Sequence, residues 1–232
     1  LLLWAILSLK PMKKNTSKSK KVAIIGAGII GLFLGWKLSE KGLQVTIFEK
    51  KGKIGKEACS GLFSEKILRF VPASKKLIQH ELTSVLIHFP KKTIKVKFSK
   101  KVLVMDHAEL DRQVADLARN AGAEIVLEKP IDSLPVLGEP EGFDRVIGCD
   151  GANSVVRKSL GLKEPTYRLG IQGFVVEENH AEYVETWPTR GGFSWKIPRG
   201  KSTEYGIIGR PEEVKDKFQF EKAKAALIPQ GF

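Results

Sequence analysis

Cysteine is scarce in this sequence: of 232 residues, only Cys59 and Cys149 carry a thiol. So few cysteines exclude a disulfide-stapled scaffold, which needs several pairs in a short chain. They fit the reducing cytoplasm, where we expect the protein to reside. With 42% apolar residues, the chain can bury a substantial core as one large domain or two small ones.

The N-terminal apolar run, residues 1–9, is too short to cross a bilayer, because one helical crossing needs roughly 20 apolar residues. It also differs from a signal peptide, in which positive charge precedes the apolar run, because here five lysines follow Met12. We therefore expect Met12 to be the true start and residues 1–11 to be upstream sequence. An interfacial membrane anchor is the alternative.

Acidic residues are absent from the first 21 positions, which hold six lysines. The whole chain carries a net charge of +13, and without these lysines it carries +7. A basic surface attracts nucleic acid, anionic lipid or an acidic cofactor. No RNA-binding or helix-turn-helix signature accompanies the charge, so we expect no nucleic-acid partner. Residues 1–20 are interpreted as a disordered leader outside the folded domains.

Metal-ligand spacing is absent as well. None of the four histidines has a second ligand residue at the spacing of a metal site: His80, His88, His107 and His180. Each is expected to be a surface residue or a local hydrogen-bonding group. We therefore predict no metal centre.

A glycine-rich turn between a strand and a helix is the first informative feature that is present. The β-branched run 22–25 ends at the motif Gly-Ala-Gly-Ile-Ile-Gly of residues 26–31, and residues 29–41 have helical spacing. Gly26 permits the tight turn, Gly28 lets backbone approach a pyrophosphate, and Gly31 lets the helix pack on the strand. The motif predicts a dinucleotide phosphate at the helix N-terminus.

An acidic residue closes the same unit. Residues 44–49 read as its second strand, and Glu49 lies 18 residues beyond Gly31, where a carboxylate meets the adenosine ribose hydroxyls. An acid at this position argues against a bound 2′-phosphate. Residues 22–49 therefore predict a complete βαβ unit, of a kind shared by nicotinamide and flavin proteins.

A second motif, about 120 residues further on, narrows the cofactor to FAD. A predicted strand over residues 145–149 ends in Cys-Asp-Gly-Ala-Asn-Ser-Val-Val-Arg, residues 149–157. An Asp-Gly pair followed by Ser-x-x-Arg resembles the fingerprint of flavin monooxygenases and geranylgeranyl reductases. Elsewhere, helical spacing over 107–120 and alternation over 81–104 predict a helix and antiparallel strands. Further predicted elements are strand 123–127, a loop over 129–143, strand-like segments 170–177, 191–198 and 205–209, and a charged helix over 215–226.

Two more segments resemble the geranylgeranyl reductase family of FAD-dependent oxidoreductases, which is related to aromatic-ring flavin monooxygenases. Residues 58–64, Ala-Cys-Ser-Gly-Leu-Phe-Ser, are similar to its Cys-x-Gly-Leu segment, and residues 192–198, Gly-Phe-Ser-Trp-Lys-Ile-Pro, to its Tyr-x-Trp-x-Phe-Pro motif. Phe193 replaces the tyrosine and Ile197 the phenylalanine, so a hydroxyl is lost while an apolar wall remains. The resemblance covers residues 21–232. The later Gly-Asp-Ala-Ala-Gly-type motif of the family is missing, so we expect a C-terminally truncated member.

The resemblance implies an α/β fold: a Rossmann-like FAD-binding domain with an inserted or appended antiparallel β-sheet substrate domain. It assigns residues 21–80 to the FAD-binding βαβ unit and flavin loop, and residues 106–163 to the rest of that domain with the Asp-Gly motif. Residues 81–105 supply strands of the substrate sheet. Residues 164–232 form the substrate domain, incomplete at its C-terminus.

The resemblance also implies cofactor-binding residues. Those that would bind the ADP half of FAD are Gly26, Gly28, Gly31, Glu49 and the basic residue after it, Lys50. Asp150 and Gly151 would lie near the pyrophosphate and ribityl chain, with Arg157 supporting their loop; a buried Asp150–Arg157 salt bridge is the alternative. Arg112 would lie on the helix aimed at the cofactor, although His107 replaces the arginine usual three residues before the Leu-Asp pair.

For the substrate, the resemblance implies that Phe193, Trp195 and Ile197 line an apolar tunnel, with ordinary sheet core as the alternative. Cys59 is the candidate catalytic residue and would assist proton delivery beside the flavin. An inert buried thiol is the alternative for Cys59. Cys149 is expected only to pack.

The resulting hypothesis is an FAD-dependent reductase of isoprenoid carbon–carbon double bonds in a lipid, supplied with electrons by NAD(P)H or another external donor. The alternatives are an FAD-dependent aromatic monooxygenase and a truncated, inactive fragment that binds FAD or lipid. We expect a small-molecule or lipid substrate. We also expect a cytoplasmic location with peripheral membrane contact, since a basic N-terminus is attracted to anionic lipid.

Overall fold

The structure is a computed structural model that describes residues 20–55, 59–132 and 142–214. Predictions for residues 1–19 and for the helix over 215–226 lie outside the described residues, as do residue 58 and the middle of the loop over 129–143. The strands are β1 Lys21–Ile25, β2 Gln44–Phe48, β3 Leu62–Ser64, β4 Ile78–Phe89, β5 Lys92–Met105, β6 Glu124–Val126, β7 Arg145–Gly148, β8 Leu169–Val175, β9 Tyr183–Thr189, β10 Gly192–Pro198 and β11 Thr203–Gly209. The α-helices are α1 Ile29–Ser39, α2 Ile67–Phe70, α3 His107–Asn120, α4 Val155–Ser159 and α5 Pro211–Val214, with a 3₁₀ helix over Pro72–Leu77.

A four-stranded parallel sheet in the order β6-β2-β1-β7 forms the first layer. Its central strand β1 carries a continuous buried apolar run, Val22 to Ile25, and the side chains of Ile24 and Ile47 are completely buried. The helices α1 and α3 pack against this layer and share its core. The sheet and its helices form the Rossmann-like α/β arrangement that was predicted.

The sequence explains where helix α3 begins and which of its residues are buried. Asp106 caps its first turn by accepting the backbone N–H of Glu109 at 3.0 Å. Leu110, Val114 and Ala118 recur at helical spacing and are fully buried against the parallel sheet. The predicted helix over 107–120 is confirmed.

A seven-stranded sheet in the order β3-β5-β4-β9-β10-β11-β8 forms the second layer. All neighbours pair antiparallel except β4 and β9, which run parallel with Val85 beside Val184. The predicted antiparallel sheet thus contains one parallel pair, which makes it a mixed sheet. A parallel pair needs a long crossover, which the intervening α3 and the parallel-sheet strands provide here.

One face of the mixed sheet is apolar. Phe193, Trp195 and Ile197 alternate along β10 and so share a face, and Ile197 pairs with Glu204, which pairs with Phe174. Leu82, Val104, Val184 and Ile197 form the buried part of this face. We call this surface the apolar sheet face. It extends over the neighbouring strands β5, β4, β9, β10, β11 and β8.

The division of the chain into domains stays a prediction. Strand β3 and the first residues of β4 fall within the predicted segment 21–80, yet they pair within the mixed sheet. No helix in the described ranges combines the length and apolar character needed to cross a membrane.

Candidate cofactor and substrate site

The glycine loop and the Asp-Gly loop lie side by side at the carboxyl ends of β1 and β7, which pair in parallel. A Cβ added at Gly26 would lie 2.5 Å from the carbonyl oxygen of Cys149 and 2.9 Å from Cα of Asp150. Ligands of open α/β sheets bind at this end of parallel strands. The two motifs therefore belong to one candidate site.

Gly28 is the glycine that the packing of the protein does not explain. A Cβ at Gly31 would lie 2.0 Å from the carbonyl oxygen of Gly26, whereas a Cβ at Gly28 would meet no atom within 4 Å. Gly28 has a φ of −78°, which any residue adopts, and it is the N-cap of α1 without a side-chain cap. The first turn of α1 contains no acidic residue. Open space above an uncapped helix N-terminus fits the pyrophosphate of FAD.

Glu49 connects the end of β2 to the glycine loop. Its Oε2 accepts the N–H of Ala27 at 2.9 Å, and its Oε1 accepts the N–H of Lys51 at 3.0 Å. Each carboxylate oxygen has a second lone pair, so Glu49 keeps acceptor capacity for ribose hydroxyls. Lys50 is exposed on the same turn.

Asp150 caps the N-terminus of α4. Its Oδ2 accepts the N–H of Val155 at 2.6 Å, and its Oδ1 accepts the hydroxyl of Ser154 at 2.6 Å. Gly151 has a φ of +80°, which favours glycine and sets the turn into the helix. The carboxylate thereby fixes the loop beside Gly26.

Arg157 does not pair with Asp150, so the alternative prediction of a salt bridge between them is wrong. Its Nη1 donates to the carbonyl oxygen of Ala152 at 2.6 Å, and its Nη2 lies 2.7 Å from Oε2 of Glu164. The reason is that backbone and hydroxyl donors of α4 already occupy the Asp150 carboxylate. Arg157 supports the same loop through Ala152.

Arg112 lies on α3 beside the segment that follows β2. Its Nη2 donates to Oε1 of Glu109 at 2.8 Å, and its Nη1 to the carbonyl oxygen of Ile54 at 3.4 Å. A Cβ at Gly55 would lie 2.8 Å from Nη1. The guanidinium thus packs on the chain just beyond Glu49, and its contact with a cofactor stays a prediction.

Cys59 lies close to a buried ion pair at the start of α3. His107 Nε2 is 3.4 Å from Oδ1 of Asp111, and the two side chains are 11% and 1% exposed. Interaction with Asp111, and then with the Cys59 thiol, raises the pKa of His107 from 6.5 to about 9, against the opposing effect of burial. His107 is therefore protonated at neutral pH and places a cation beside Cys59.

Trp195 and Ile197 are integrated in the mixed sheet, whereas Phe193 is 45% exposed. The Trp195 ring covers Gly206, where a Cβ would lie 2.0 Å from Cζ2, and its Nε1 donates to Oε1 of Glu204 at 2.9 Å. Ile197 is 2% exposed and packs as core, which fits the alternative interpretation for that residue. Exposed apolar surface on this face comes from Phe193 and Phe174.

Two buried ion pairs were not predicted from the sequence: His107–Asp111 and Arg199–Glu204. The His107–Asp111 pair could have been predicted from the sequence, because residues four apart share a helix face and Asp111 lies among the buried apolar residues of α3. The second follows directly after the motif 192–198, but its pairing depends on the register of β10 with β11. Burial raises the pKa of Glu204, while N–H donors from Trp195 and Arg199 and the Arg199 charge oppose that rise.

A cavity of about 700 Å³ lies away from these residues. Its lining includes Lys21, Gly42, Phe48, Glu124 and Phe143, and none of the predicted cofactor residues. Among the described residues, no cluster of three or more His, Cys, Asp or Glu side chains could hold a metal ion. The candidate site therefore rests on the geometry of the two motifs and the Cys59 region.

Comparison with known proteins bears on the cofactor. Residues 21–80 match a family model described as FAD dependent oxidoreductase. The match covers the glycine loop, α1 and Glu49, and it supports FAD as the cofactor. The predicted resemblance to FAD-dependent oxidoreductases is confirmed.

Curated relatives and a solved structure extend the likeness. A digeranylgeranylglycerophospholipid reductase of Methanosarcina mazei is 26% identical over 222 residues, which cover 81% of this chain and 54% of the relative. A kynurenine 3-monooxygenase of Christiangramia forsetii is 26% identical over 218 residues, covering 76% of this chain and 48% of the relative. A geranylgeranyl bacteriochlorophyll reductase-like protein of Thermoplasma acidophilum superposes with a TM-score of 0.73 at 20% identity, over 91% of this chain and 62% of that one. The structural likeness confirms the α/β fold, and the chain spans about half the length of these curated relatives.

Proposed function

We propose that the protein is an FAD-dependent oxidoreductase that reduces carbon–carbon double bonds of an isoprenoid lipid. The observation that carries the proposal is the position of Cys59, between the start of α3 and strand β8. On one side it interacts with His107 at the start of α3, and on the other its carbonyl oxygen accepts the amide of Gln172 on β8 at 3.1 Å. A redox cofactor at the motif edge and an apolar substrate on the mixed sheet would meet near this residue.

The glycine loop, Glu49 and the Asp-Gly loop would hold FAD. The N-terminus of α1 would bind the pyrophosphate, and Glu49 would accept hydrogen bonds from the ribose. FAD, when bound and reduced by NAD(P)H or another external donor, supplies the hydride of the reaction. The chain's own contribution is to position the cofactor, exclude water and deliver a proton.

Cys59 would deliver that proton. Saturation of a carbon–carbon double bond adds a hydride to one carbon and a proton to the other. The Cys59 thiol would give its proton to the substrate carbon, and the protonated His107 would stabilise the resulting thiolate and return a proton to it. Asp111 would keep His107 protonated, since the pair raises the pKa of His107 to about 9.

The apolar sheet face would bind the isoprenoid chain. Phe193 and Phe174 are 45% and 50% exposed on this face, and Trp195 is half-buried. An isoprenoid chain lying along the face would cover both exposed rings. We further propose that the protein acts in the cytoplasm and reaches its lipid by peripheral contact with the membrane.

The test is reduction of a geranylgeranyl phospholipid under anaerobic conditions by FAD-loaded protein with a chemical reductant in deuterated water. We expect saturated product in which each reduced bond carries two deuterons from solvent, because a chemically reduced flavin takes its transferable hydrogen from solvent and the thiol proton also exchanges with it. Cys59→Ala should lower the rate of saturation while leaving the flavin spectrum unchanged. Unreduced lipid after complete flavin reduction would contradict the proposed substrate.

A flavin monooxygenase is the second candidate function, because the kynurenine 3-monooxygenase relative matches 76% of this chain. It predicts NADPH oxidation that depends on oxygen and on an aromatic substrate. The cysteine-containing segment and the Trp195 region favour the reductase. Aromatic-dependent NADPH oxidation without lipid saturation would reverse the choice.

A further inference from the structure

Arg199 is a buried cation that joins the end of β10 to the Cys59 loop, residues 59–61. Its side chain is 6% exposed, and its Nη2 lies 2.8 Å from Oε2 of Glu204. The same Nη2 donates to the carbonyl oxygen of Ser60 at 2.6 Å, and Nη1 donates to Oε1 of Gln79 at 2.6 Å. The guanidinium thus holds strand β11, strand β4 and the Cys59 loop together.

Glu204 links the same cluster to the predicted substrate wall. Its side chain is completely buried, and each carboxylate oxygen accepts a hydrogen bond from a different residue. Oε1 accepts Nε1 of Trp195 at 2.9 Å, and Oε2 accepts Nε of Arg199 at 3.0 Å. One carboxylate therefore orients both the Trp195 ring and the guanidinium that holds Ser60.

The Cys59 loop packs closely against Arg199 and against the end of β5. Gly61 has a φ of +63°, and a Cβ there would lie 2.0 Å from the carbonyl oxygen of Met105 and 3.1 Å from Nη2 of Arg199. The backbone N–H of Met105 also donates to the carbonyl oxygen of Gly61 at 2.9 Å. The loop is therefore fixed on one side by the end of β5 and on the other by Arg199, with Cys59 directed toward His107.

We infer that Arg199 and Glu204 are positioning residues, which set the Cys59 thiol and the Trp195 ring in one fixed arrangement across the apolar sheet face. The inference rests on the proposed role of Cys59. A buried ion pair is poor evidence for stability, because desolvation offsets most of its attraction. Its specific hydrogen bonds to Ser60 and Trp195 give it geometry instead, which an apolar pair of equal volume would not supply.

The test measures Cys59 itself. In a Cys149→Ser background Cys59 is the single thiol, since the chain has two cysteines. Iodoacetamide alkylation rates are recorded from pH 6 to pH 10 for this parent, for Arg199→Lys and for Glu204→Gln. Arg119→Lys, in the exposed pair with Asp116 on α3, is the matched control. Gln79→Ala removes one partner of Arg199 at an exposed position and serves if the buried variants fail to fold.

We expect Arg199→Lys and Glu204→Gln to change the alkylation rate at least about fivefold and to move its pH midpoint, because thiol reactivity follows exposure and local charge. Gln79→Ala should shift both in the same direction by less, and Arg119→Lys should match the parent. A lower melting temperature with unchanged rate and midpoint would show a merely structural role and overturn the inference. The flavin spectrum of each protein is a separate readout: an absent flavin contradicts the proposed function, whereas the alkylation comparison requires no cofactor.

Discussion

Replacing Gly28 and Gly26 separately by alanine should separate cofactor binding from folding. At Gly26 an alanine would need a φ of +103° and would place its Cβ 2.5 Å from the Cys149 carbonyl oxygen. The left-handed conformation costs about 1–2 kcal/mol, and relieving the overlap costs about 1–3 kcal/mol more. Against a total stability of about 5–15 kcal/mol, this loss is large.

At Gly28 the same methyl group meets no atom of the protein within 4 Å. We expect Gly28→Ala to lower the free energy of unfolding by no more than about 1 kcal/mol, because alanine is a poorer N-cap residue than glycine. The methyl group would occupy the space that the pyrophosphate needs, so the affinity for FAD should fall at least about tenfold, or about 1.4 kcal/mol. Gly26→Ala is thus expected to impair folding, whereas Gly28→Ala is expected to impair FAD binding.

The assay combines urea unfolding of the protein without FAD with a titration of FAD followed by flavin fluorescence. Gly26→Ala should shift the urea midpoint strongly, and Gly28→Ala should shift it slightly while shifting the FAD titration strongly. A Gly28→Ala protein that binds FAD as tightly as the parent would refute the placement of the pyrophosphate above α1. A Gly28→Ala protein as unstable as Gly26→Ala would refute the packing argument itself.

Three further predictions concern single side chains. Asp150→Ala should lower the free energy of unfolding by about 1 kcal/mol through loss of the α4 cap, measured by urea unfolding, with no change expected for Asp116→Ala on the exposed side of α3. His107 has a pKa of about 9 when folded against 6.5 when unfolded, so its stabilisation is complete below pH 6.5 and is lost as pH rises through 9. His107→Gln should therefore remove up to about 3 kcal/mol at pH 6 and much less at pH 10, and a difference independent of pH would contradict the buried ion pair. Gly206→Ala, whose Cβ would lie 2.0 Å from the Trp195 ring, should lower stability by about 1–3 kcal/mol in the same assay, and a neutral result would show that the ring moves freely.

Local patterns predicted the elements that depend on nearby residues. The helix over 107–120 and the strands around the glycine motif follow from apolar periodicity and turn chemistry, and the structure has them within one or two residues. The family resemblance implied that the loops at residues 26–31 and 149–157 bind one cofactor, and the two loops lie in contact.

Features that depend on distant pairing were not readable. The parallel pairing of β4 with β9 depends on how the chain crosses between the sheets, which local alternation does not encode. The Asp150–Arg157 alternative failed because donors at the start of α4 occupy the carboxylate first. Arg199 was missed because its partners, Ser60 and Glu204, meet it only after the mixed sheet has formed.

FAD binding is tested by asking whether the folded chain retains the cofactor. The purified protein would be incubated with FAD, separated from free cofactor and examined by visible absorption, with circular dichroism as the check on folding. We expect about one FAD for each chain, because one glycine loop holds one dinucleotide, and we expect the flavin to be lost in Gly28→Ala while the fold persists. A folded parent protein that retains no flavin would contradict this expectation.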